Sequence, residues 1–475
     1  MAQKHFLDYF FYPETIAVVG ASQNPSKTGY QVIRNLIKLG YPGTVYPVNP
    51  KEKVIQELKC YPDLSSIPEK LDLVVITVPA KNVNPIVQEA ADRGDVQAVI
   101  VISAGFSETK TEEGIKMEAE LVEIAQKAGI RIFGPNCSGV MNNTNDLDTT
   151  IQPIVKHVKG GVSICSQSGA MAGSILLFAE AQPKPLGFAK FAHFGNMCDV
   201  NTLDLLSYYG QDPDTKAIII YLEGFDKGRK LMEVAQDITR KKPVMVLKVG
   251  RNELGAQAAY SHTGALAGTD EIYQAAFRKS GITRVDGLRD LIDTAKAFTT
   301  QPLPKGNRIC ILTEAGGPGT MAMDELGKYK HARLASISEA GRKRLEEVLP
   351  SIAIICKPDG YIDMTAAAME EHHCLALETV LKEEEVDMVI LISVPPTFLP
   401  PEDLARRLIK PLREAEKPVL TCLLAGQWVH EARKMLEEAG FPTFDTPEQT
   451  VKAAVRMIER SKYLQTLPAK GGEEA

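Results

Sequence analysis

Leu73-Val74-Val75-Ile76-Thr77-Val78 and, one amphipathic stretch further on, Ala98-Val99-Ile100-Val101-Ile102 are the segments on which the fold turns. Neither alternates apolar with polar residues, so neither suits a sheet with one wet face. Continuous Val/Ile runs bounded in this way are strands covered on both faces, the condition of a parallel sheet with helices above and below it. The same kind of run recurs at Ile16-Ala17-Val18-Val19, Ala217-Ile218-Ile219-Ile220-Tyr221-Leu222, Pro243-Val244-Met245-Val246-Leu247, Arg308-Ile309-Cys310-Ile311-Leu312 and Met388-Val389-Ile390-Leu391-Ile392. Stretches of helical length such as Val32 to Leu39 lie between them, so the chain reads as βα units throughout. The expected fold class is α/β, in parallel-sheet domains of Rossmann-like type.

At 475 residues the chain is long enough for about three domains of ordinary size. Polar residues from Asn142 to Thr150, and the segment Thr299-Thr300-Gln301-Pro302-Leu303-Pro304-Lys305-Gly306, mark two boundaries. They give blocks at 1–141, 142–302 and 303–465, followed by a tail at 466–475 whose residues from Pro468 onward read as disordered. With 44% hydrophobic and 24% charged residues the composition is globular. A net charge of −6 gives no electrostatic reason to expect nucleic acid or an anionic membrane as partner. The eight cysteines are scattered without a Cys-x-x-Cys pair, which argues for buried free thiols in a reducing compartment rather than zinc or redox chemistry. The first apolar stretch is broken by Asp8, Pro13 and Glu14, and the longest runs are too short to cross a bilayer. The expected location is the cytoplasm.

Each block carries a strand that runs into a turn of small residues opening a helix: Gly20-Ala21-Ser22, Ser166-Gln167-Ser168-Gly169-Ala170 and Glu314-Ala315-Gly316-Gly317-Pro318-Gly319. The first continues to Lys27 and Gly29 without the Gly-x-Gly-x-x-Gly spacing of a dinucleotide site. The second strand ends in Pro47-Val48-Asn49-Pro50-Lys51, with no acidic residue to grip a ribose diol. NAD is therefore disfavoured, and a phosphorylated ligand such as coenzyme A, held by a helix N-terminus and an ammonium group, fits better. Candidate contacts are Gly20, Ala21, Ser22, Lys27, Gly29, Asn49, Pro50 and Lys51, with Val78, Pro79, Ser103, Ala104, Gly105, Asn136 and Cys137 at the following strand ends. Strand ends are where ligands sit on open α/β sheets, although each of these turns is equally readable as plain turn chemistry and either lysine as a solvated charge.

His262 stands in Ala258-Ala259-Tyr260-Ser261-His262-Thr263-Gly264-Ala265-Leu266-Ala267-Gly268, a loop-like run of small and hydroxyl side chains. Such neighbours let a tetrahedral group come within bonding distance of the ring and offer hydrogen bonds to its oxygens, as a phosphorylated histidine needs. Neutral imidazole is also a common packing group. Ser166, Ser168 and Gly169 at a helix start form a candidate phosphate site or, more simply, a serine N-cap. Glu223, just past the strand Ala217 to Leu222, is placed to fix a histidine tautomer so that the other ring nitrogen can attack phosphorus, or is solvated trim.

Together, Gly20-Ala21-Ser22, Gly134-Pro135-Asn136-Cys137, Ser166-Gln167-Ser168-Gly169, Tyr221-Leu222-Glu223-Gly224, Ser261-His262-Thr263-Gly264 and Gly316-Gly317-Pro318-Gly319 resemble the α subunit of ADP-forming (NDP-forming) acyl-CoA synthetases. This group belongs to the succinyl-CoA synthetase superfamily, and the resemblance runs from about residue 6 to about residue 462. It implies a CoA-binding Rossmann-like domain followed by two flavodoxin-like ligase domains. The implied reaction converts acyl-CoA, phosphate and ADP into a carboxylic acid, CoA and ATP through an acyl phosphate and a phosphohistidine at His262. Glu223 would orient that ring, and Ser166, Ser168, Gly169 and Gly264 would hold the transferring phosphate.

The family also requires an ATP-grasp domain for ATP or ADP and Mg²⁺, and the sequence contains neither a Walker loop nor residues enough for a further domain. A separate β subunit in an α2β2 assembly is expected, and no metal ligand is assigned to this chain. Two departures from the family pattern fall in the third block. Asp359-Gly360-Tyr361-Ile362-Asp363-Met364-Thr365 replaces the usual Asn-Pro-x-Asp segment, and Glu314 stands where asparagine is usual. The alternative readings are a CoA-sensing regulatory module, which would be expected to lack the histidine, and a phosphate-independent acyl-CoA hydrolase or transferase, which dependence on phosphate would separate.

Overall fold

The computed structural model describes residues 4–152, 157–225, 227–263 and 269–468, with the backbone alone at 259–263. The expected tail therefore lies, beyond Pro468, outside the described residues. Two compact units emerge, one of Met1–Glu180 with Gly187–Arg284 and one of Ala181–Leu186 with Val285–Ala475.

The first unit contains two large sheets. Its N-terminal strands are Thr15–Val19 (β1), Thr44–Val48 (β2), the small hairpin Val54–Ile55 (β3) and Leu58–Lys59 (β4), Leu73–Ile76 (β5), Ala98–Val101 (β6) and Arg131–Phe133 (β7). β2-β1-β5-β6-β7 form a wholly parallel sheet. Successive side chains point to opposite faces. Ile16, Val18, Leu73 and Val75 join Val32, Ile33 and Leu36 of helix Thr28–Leu39. Ala17, Val19, Val74 and Ile76 join Val83 and Val87 of helix Val83–Arg93, and Leu121 and Ala125 of helix Glu112–Ala128. Both faces are dry, which explains the unbroken apolar runs; each fully buried Val or Ile contributes about 1.5–3 kcal/mol. The strand order reverses between β1 and β5, a switch point of the kind at which open sheets bind ligands.

The second sheet comprises Gly139–Asn142 (β8), Leu147–Asp148 (β9), Lys159–Ser166 (β10), Phe188–His193 (β11), Ala217–Leu222 (β12), Val244–Lys248 (β13) and Thr283–Arg284 (β14). Its order is β14-β13-β12-β10-β11-β8-β9, parallel except where β8 meets β11 and β9 meets β8. This antiparallel edge is built from the polar stretch that marks the first boundary in the sequence. Its side chains are buried because they are satisfied: Asn142 Nδ2 donates to the Phe11 carbonyl at 2.9 Å and Asn143 Nδ2 to the Phe188 carbonyl at 3.1 Å.

The second unit carries Arg308–Thr313 (β15), Arg333–Leu334 (β16), Ile354–Ile355 (β17), Tyr361–Asp363 (β18), Met388–Ser393 (β19), Val419–Leu423 (β20) and Thr443–Phe444 (β21). They run β17-β18-β15-β19-β20-β21 with β16 beside β15, and only β17 is antiparallel to its neighbour. Helix Leu288–Thr300, which precedes the second sequence boundary, packs in this unit against helix Pro447–Thr466. Glu314, past the end of β15, is buried: its carboxylate accepts from Ser393 Oγ at 2.9 Å and from the Val394 N–H, and meets His373 Nε2 at 3.1 Å. His373 Nδ1 lies 2.9 Å from the Met369 carbonyl. Both ring nitrogens of His373 thus face an oxygen.

The α/β class and the predominance of parallel sheets hold as expected from the sequence. Among the described residues no helix is long and apolar enough to cross a membrane.

Candidate active site

Loops that follow parallel strands share one edge of the sheet. Along the carboxyl edge of the first sheet lie Gly20, Ala21 and Ser22 after β1, Asn49, Pro50 and Lys51 after β2, Val78 and Pro79 after β5, Ser103, Ala104 and Gly105 after β6, and Asn136 and Cys137 after β7. Gly20 has φ +88°, and a Cβ on Gly29 would stand 2.2 Å from the Gly20 carbonyl oxygen. Helix Thr28–Leu39 thus starts directly on the β1 turn, an approach only glycine admits.

Several of the candidate contacts are occupied in shaping this edge. Asn49 Nδ2 donates to the Ala21 carbonyl at 2.7 Å, and its Oδ1 accepts from Lys51 N–H at 2.9 Å. Ser103 Oγ donates to the Val78 carbonyl, and Asn136 N–H donates to the Ser103 carbonyl at 2.9 Å. Cys137 is buried below the edge, its thiol donating to the Val101 carbonyl at 3.3 Å; burial pushes that thiol up to about 12. Lys27, Pro50, Lys51, Pro79 and Ala104 are exposed.

On the second sheet, β10 runs into helix Gly169–Glu180. Ser166 Oγ donates to the Ser168 carbonyl at 2.8 Å and accepts from Ser168 N–H at 3.1 Å, so this hydroxyl is committed to the turn. Ser168 Oγ accepts from Met171 N–H at 3.3 Å, and its carbonyl accepts from Ala172 N–H at 2.9 Å, the pattern of an N-cap. The amides of Gly169 and Ala170 open the helix, where intrahelical acceptors are lacking and an anion is favoured.

Gln167 couples this turn to the end of β12. Its Oε1 accepts from the N–H groups of Glu223 at 2.5 Å and Gly224 at 3.2 Å, and its Nε2 donates to the Gly224 carbonyl at 2.9 Å. Lys248, 1% exposed at the end of β13, donates to the Glu223 carbonyl at 2.8 Å; burial pulls its ammonium below the ordinary lysine value. Burial, then the neighbouring Glu223 carboxylate, pushes the Tyr221 phenol up to about 12. Glu223 is thus held from the Gln167 side and the Lys248 side.

His262 was expected in a loop, but its backbone lies in the last turn of helix Glu253–Thr263, which follows β13. The Ala- and Gln-containing segment before it favours helix over loop. The His262 side chain and the whole of Gly264 fall outside the described residues. The structure thus brings the Ser168–Gly169 turn, Glu223 and the helix bearing His262 onto three neighbouring strands, β10, β12 and β13.

A residue the sequence reading passed over completes this edge. His193 ends β11 in register with Ser166 of β10 and is 7% exposed. Its Nδ1 accepts from Ser138 N–H at 2.8 Å, and burial pushes the imidazolium down to about 4. Among the described residues no group of three or more His, Cys, Asp or Glu side chains is arranged to hold a metal ion.

Residues 14–143 match the family model described as a CoA binding domain, and residues 159–298 match the succinyl-CoA ligase like flavodoxin domain. The chain is 42% identical over 460 residues to acetate–CoA ligase [ADP-forming] II subunit alpha of Pyrococcus furiosus, covering 96% of this chain and 98% of that one. It is 36% identical over 447 residues to acetate–CoA ligase [ADP-forming] I of Archaeoglobus fulgidus, covering 94% of this chain but 62% of that longer one. Its structure is similar to the dinucleotide forming acetyl-coenzyme A synthetase 1 of Ca. Korarchaeum cryptofilum in complex with phosphate and ADP, with a TM-score of 0.89, 34% identity and 97% of each chain covered. The chain belongs to the family of α subunits of ADP-forming acyl-CoA synthetases, within the succinyl-CoA synthetase superfamily.

Proposed function

We propose that this chain is the α subunit of an enzyme that converts acyl-CoA, phosphate and ADP into a carboxylic acid, CoA and ATP. The observation that carries the reading is the common edge of β10, β12 and β13, which gathers a helix N-terminus suited to an anion, a buried carboxylate and the helix that bears His262. On this reading phosphate oxygen attacks the thioester carbonyl and expels CoA thiolate. A ring nitrogen of His262 then attacks phosphorus and expels the carboxylate, and ADP oxygen takes the phosphoryl group by breaking the P–N bond. Glu223 orients the His262 ring, and the Ser166–Gly169 turn with Gly264 holds the phosphate. Such transfers are catalysed chiefly by positioning and charge neutralisation.

Coenzyme A is assigned to the carboxyl edge of the first sheet, with the phosphates towards the start of helix Thr28–Leu39 and Lys27. The block division at 141/142 and 302/303 is retained as three functional domains. A β subunit of ATP-grasp type would supply ATP or ADP binding and Mg²⁺, in an α2β2 assembly in the cytoplasm; the greater length of the Archaeoglobus relative supports a second part to the machine. A small carboxylic acid is the substrate class, acetate being the acid in the name of the Pyrococcus relative.

The test is His262→Ala in the purified αβ complex. ATP formation is expected to fall by at least about a thousandfold while CoA binding, measured by calorimetry, is unchanged. Near-normal turnover would refute the mechanism.

A further inference from the structure

The turns that follow β6 and β7 are fixed by a side chain from the other sheet of the same unit. Asn196 lies in the loop after β11. Its N–H donates to the Pro135 carbonyl at 2.8 Å, and the Cys198 N–H donates to the Gly134 carbonyl at 3.2 Å. The approach is close enough to require glycine just before it: Gly195 has φ +62°, and a Cβ there would stand 2.0 Å from the Pro135 carbonyl oxygen.

The amide of Asn196 bridges two carboxylates. Its Nδ2 donates to Glu108 Oε2 at 2.6 Å and to Glu118 Oε2 at 2.7 Å, while its Oδ1 accepts from Asn136 Nδ2 at 3.3 Å. The amide must face this way, because its oxygen would repel both carboxylates. Ser107 Oγ, 3.2 Å from Nδ2, donates to Glu118 at 2.7 Å. Glu108 passes the constraint on, its carboxylate accepting from the Gly105 N–H at 2.5 Å and the Phe106 N–H at 3.1 Å. Burial raises the Glu108 carboxyl, but the Asn196 amide and these N–H groups outweigh it and hold the group below the usual carboxylate range. One half-buried amide thus sets the backbone of Gly105 and the side chain of Asn136, two of the candidate CoA contacts. It does so from the strand beside β10 and its anion-suited turn.

We propose that Asn196 is a positioning residue for coenzyme A: through Glu108 and Asn136 it holds the turns after β6 and β7 in the arrangement that the ligand meets. The inference rests on the assignment of CoA to the carboxyl edge of the first sheet. Its physical basis is charge. Without the bridging amide the Glu108 and Glu118 carboxylates repel each other, and the Gly105–Phe106 turn moves with Glu108.

The experiment measures CoA affinity by calorimetry in the αβ complex, together with phosphorylation of His262 by Mg-ATP, for Asn196→Asp, Glu108→Gln, the two combined, and Lys27→Ala. Asn196→Asp keeps the acceptor for Asn136 but sets a third carboxylate against Glu108 and Glu118. Adding Glu108→Gln restores the bond with its polarity reversed, since the new amide nitrogen can donate to the new carboxylate while the amide oxygen still accepts from the Gly105 N–H. The expected result is CoA affinity about tenfold weaker in Asn196→Asp and recovered to within about threefold in the double variant, with His262 phosphorylation unchanged throughout. Wild-type CoA affinity in Asn196→Asp, a double variant no better than Asn196→Asp, or an equal loss of His262 phosphorylation overturns the proposal. If Lys27→Ala weakens CoA binding and Asn196→Asp does not, the role of Asn196 falls alone. If neither variant weakens it, the assignment of CoA to this edge falls as well.

Discussion

Ser138 N–H donates to the buried ring of His193. The folded imidazole titrates at about 4, because burial disfavours its charged form. In the unfolded chain it would take a proton near pH 6.5. Between those values the unfolded state binds the proton that the folded state refuses, so this group's contribution to stability is complete above pH 6.5 and declines as pH falls towards 4. The loss amounts to about 3 kcal/mol by pH 4. Denaturant unfolding across that window should show the decline in the wild-type chain and a flatter profile in His193→Asn; equal slopes would contradict the buried neutral ring. His262 stood out in the sequence because its neighbours are small and polar. His193 did not, because Phe191-Ala192-His193-Phe194 reads as the end of an ordinary apolar strand, and its proximity to Gly169 arises only when β10 and β11 pair.

Elements carry the next level of argument. The contact between the β1 turn and helix Thr28–Leu39 has no room for a methyl group, with the Gly20 carbonyl 2.2 Å from a Cβ on Gly29. Gly29→Ala should therefore push the helix start off the strand end. Chemical denaturation should register a loss of about 1–3 kcal/mol, and CoA titration should show weakened binding if this helix start holds the ligand. Unchanged stability and CoA affinity would argue against both the contact and the assignment. The strands themselves were legible, since a run such as Leu73 to Ile76 has both faces buried. The β8–β9 edge was not: Asn142 and Asn143 look like linker residues until their hydrogen-bond partners, distant in sequence, are in place. Gln167 poses the same difficulty. It appears in the sequence as one letter of a turn motif, and its clasp on Glu223 and Gly224 depends on β10 lying beside β12.

For the molecule as a whole, the motifs supported family membership because they recur together in order along the chain, and the relatives share nearly its entire length. Sheet class and the carboxyl-edge placement of the small-residue turns followed from the same pattern. What pattern could not supply was the commitment of each polar group: Ser166 is spent on its own turn and Cys137 on the Val101 carbonyl. The proposed function adds a partner that binds nucleotide, and its central claim is a phosphoryl group carried on His262. The most direct measurement is peptide mass spectrometry, under alkaline conditions that preserve phosphohistidine, of the αβ complex after exposure to Mg-ATP. The account predicts a single added phosphate on the peptide containing His262, removed on addition of ADP; an unmodified His262 in a complex that demonstrably binds ATP would contradict it.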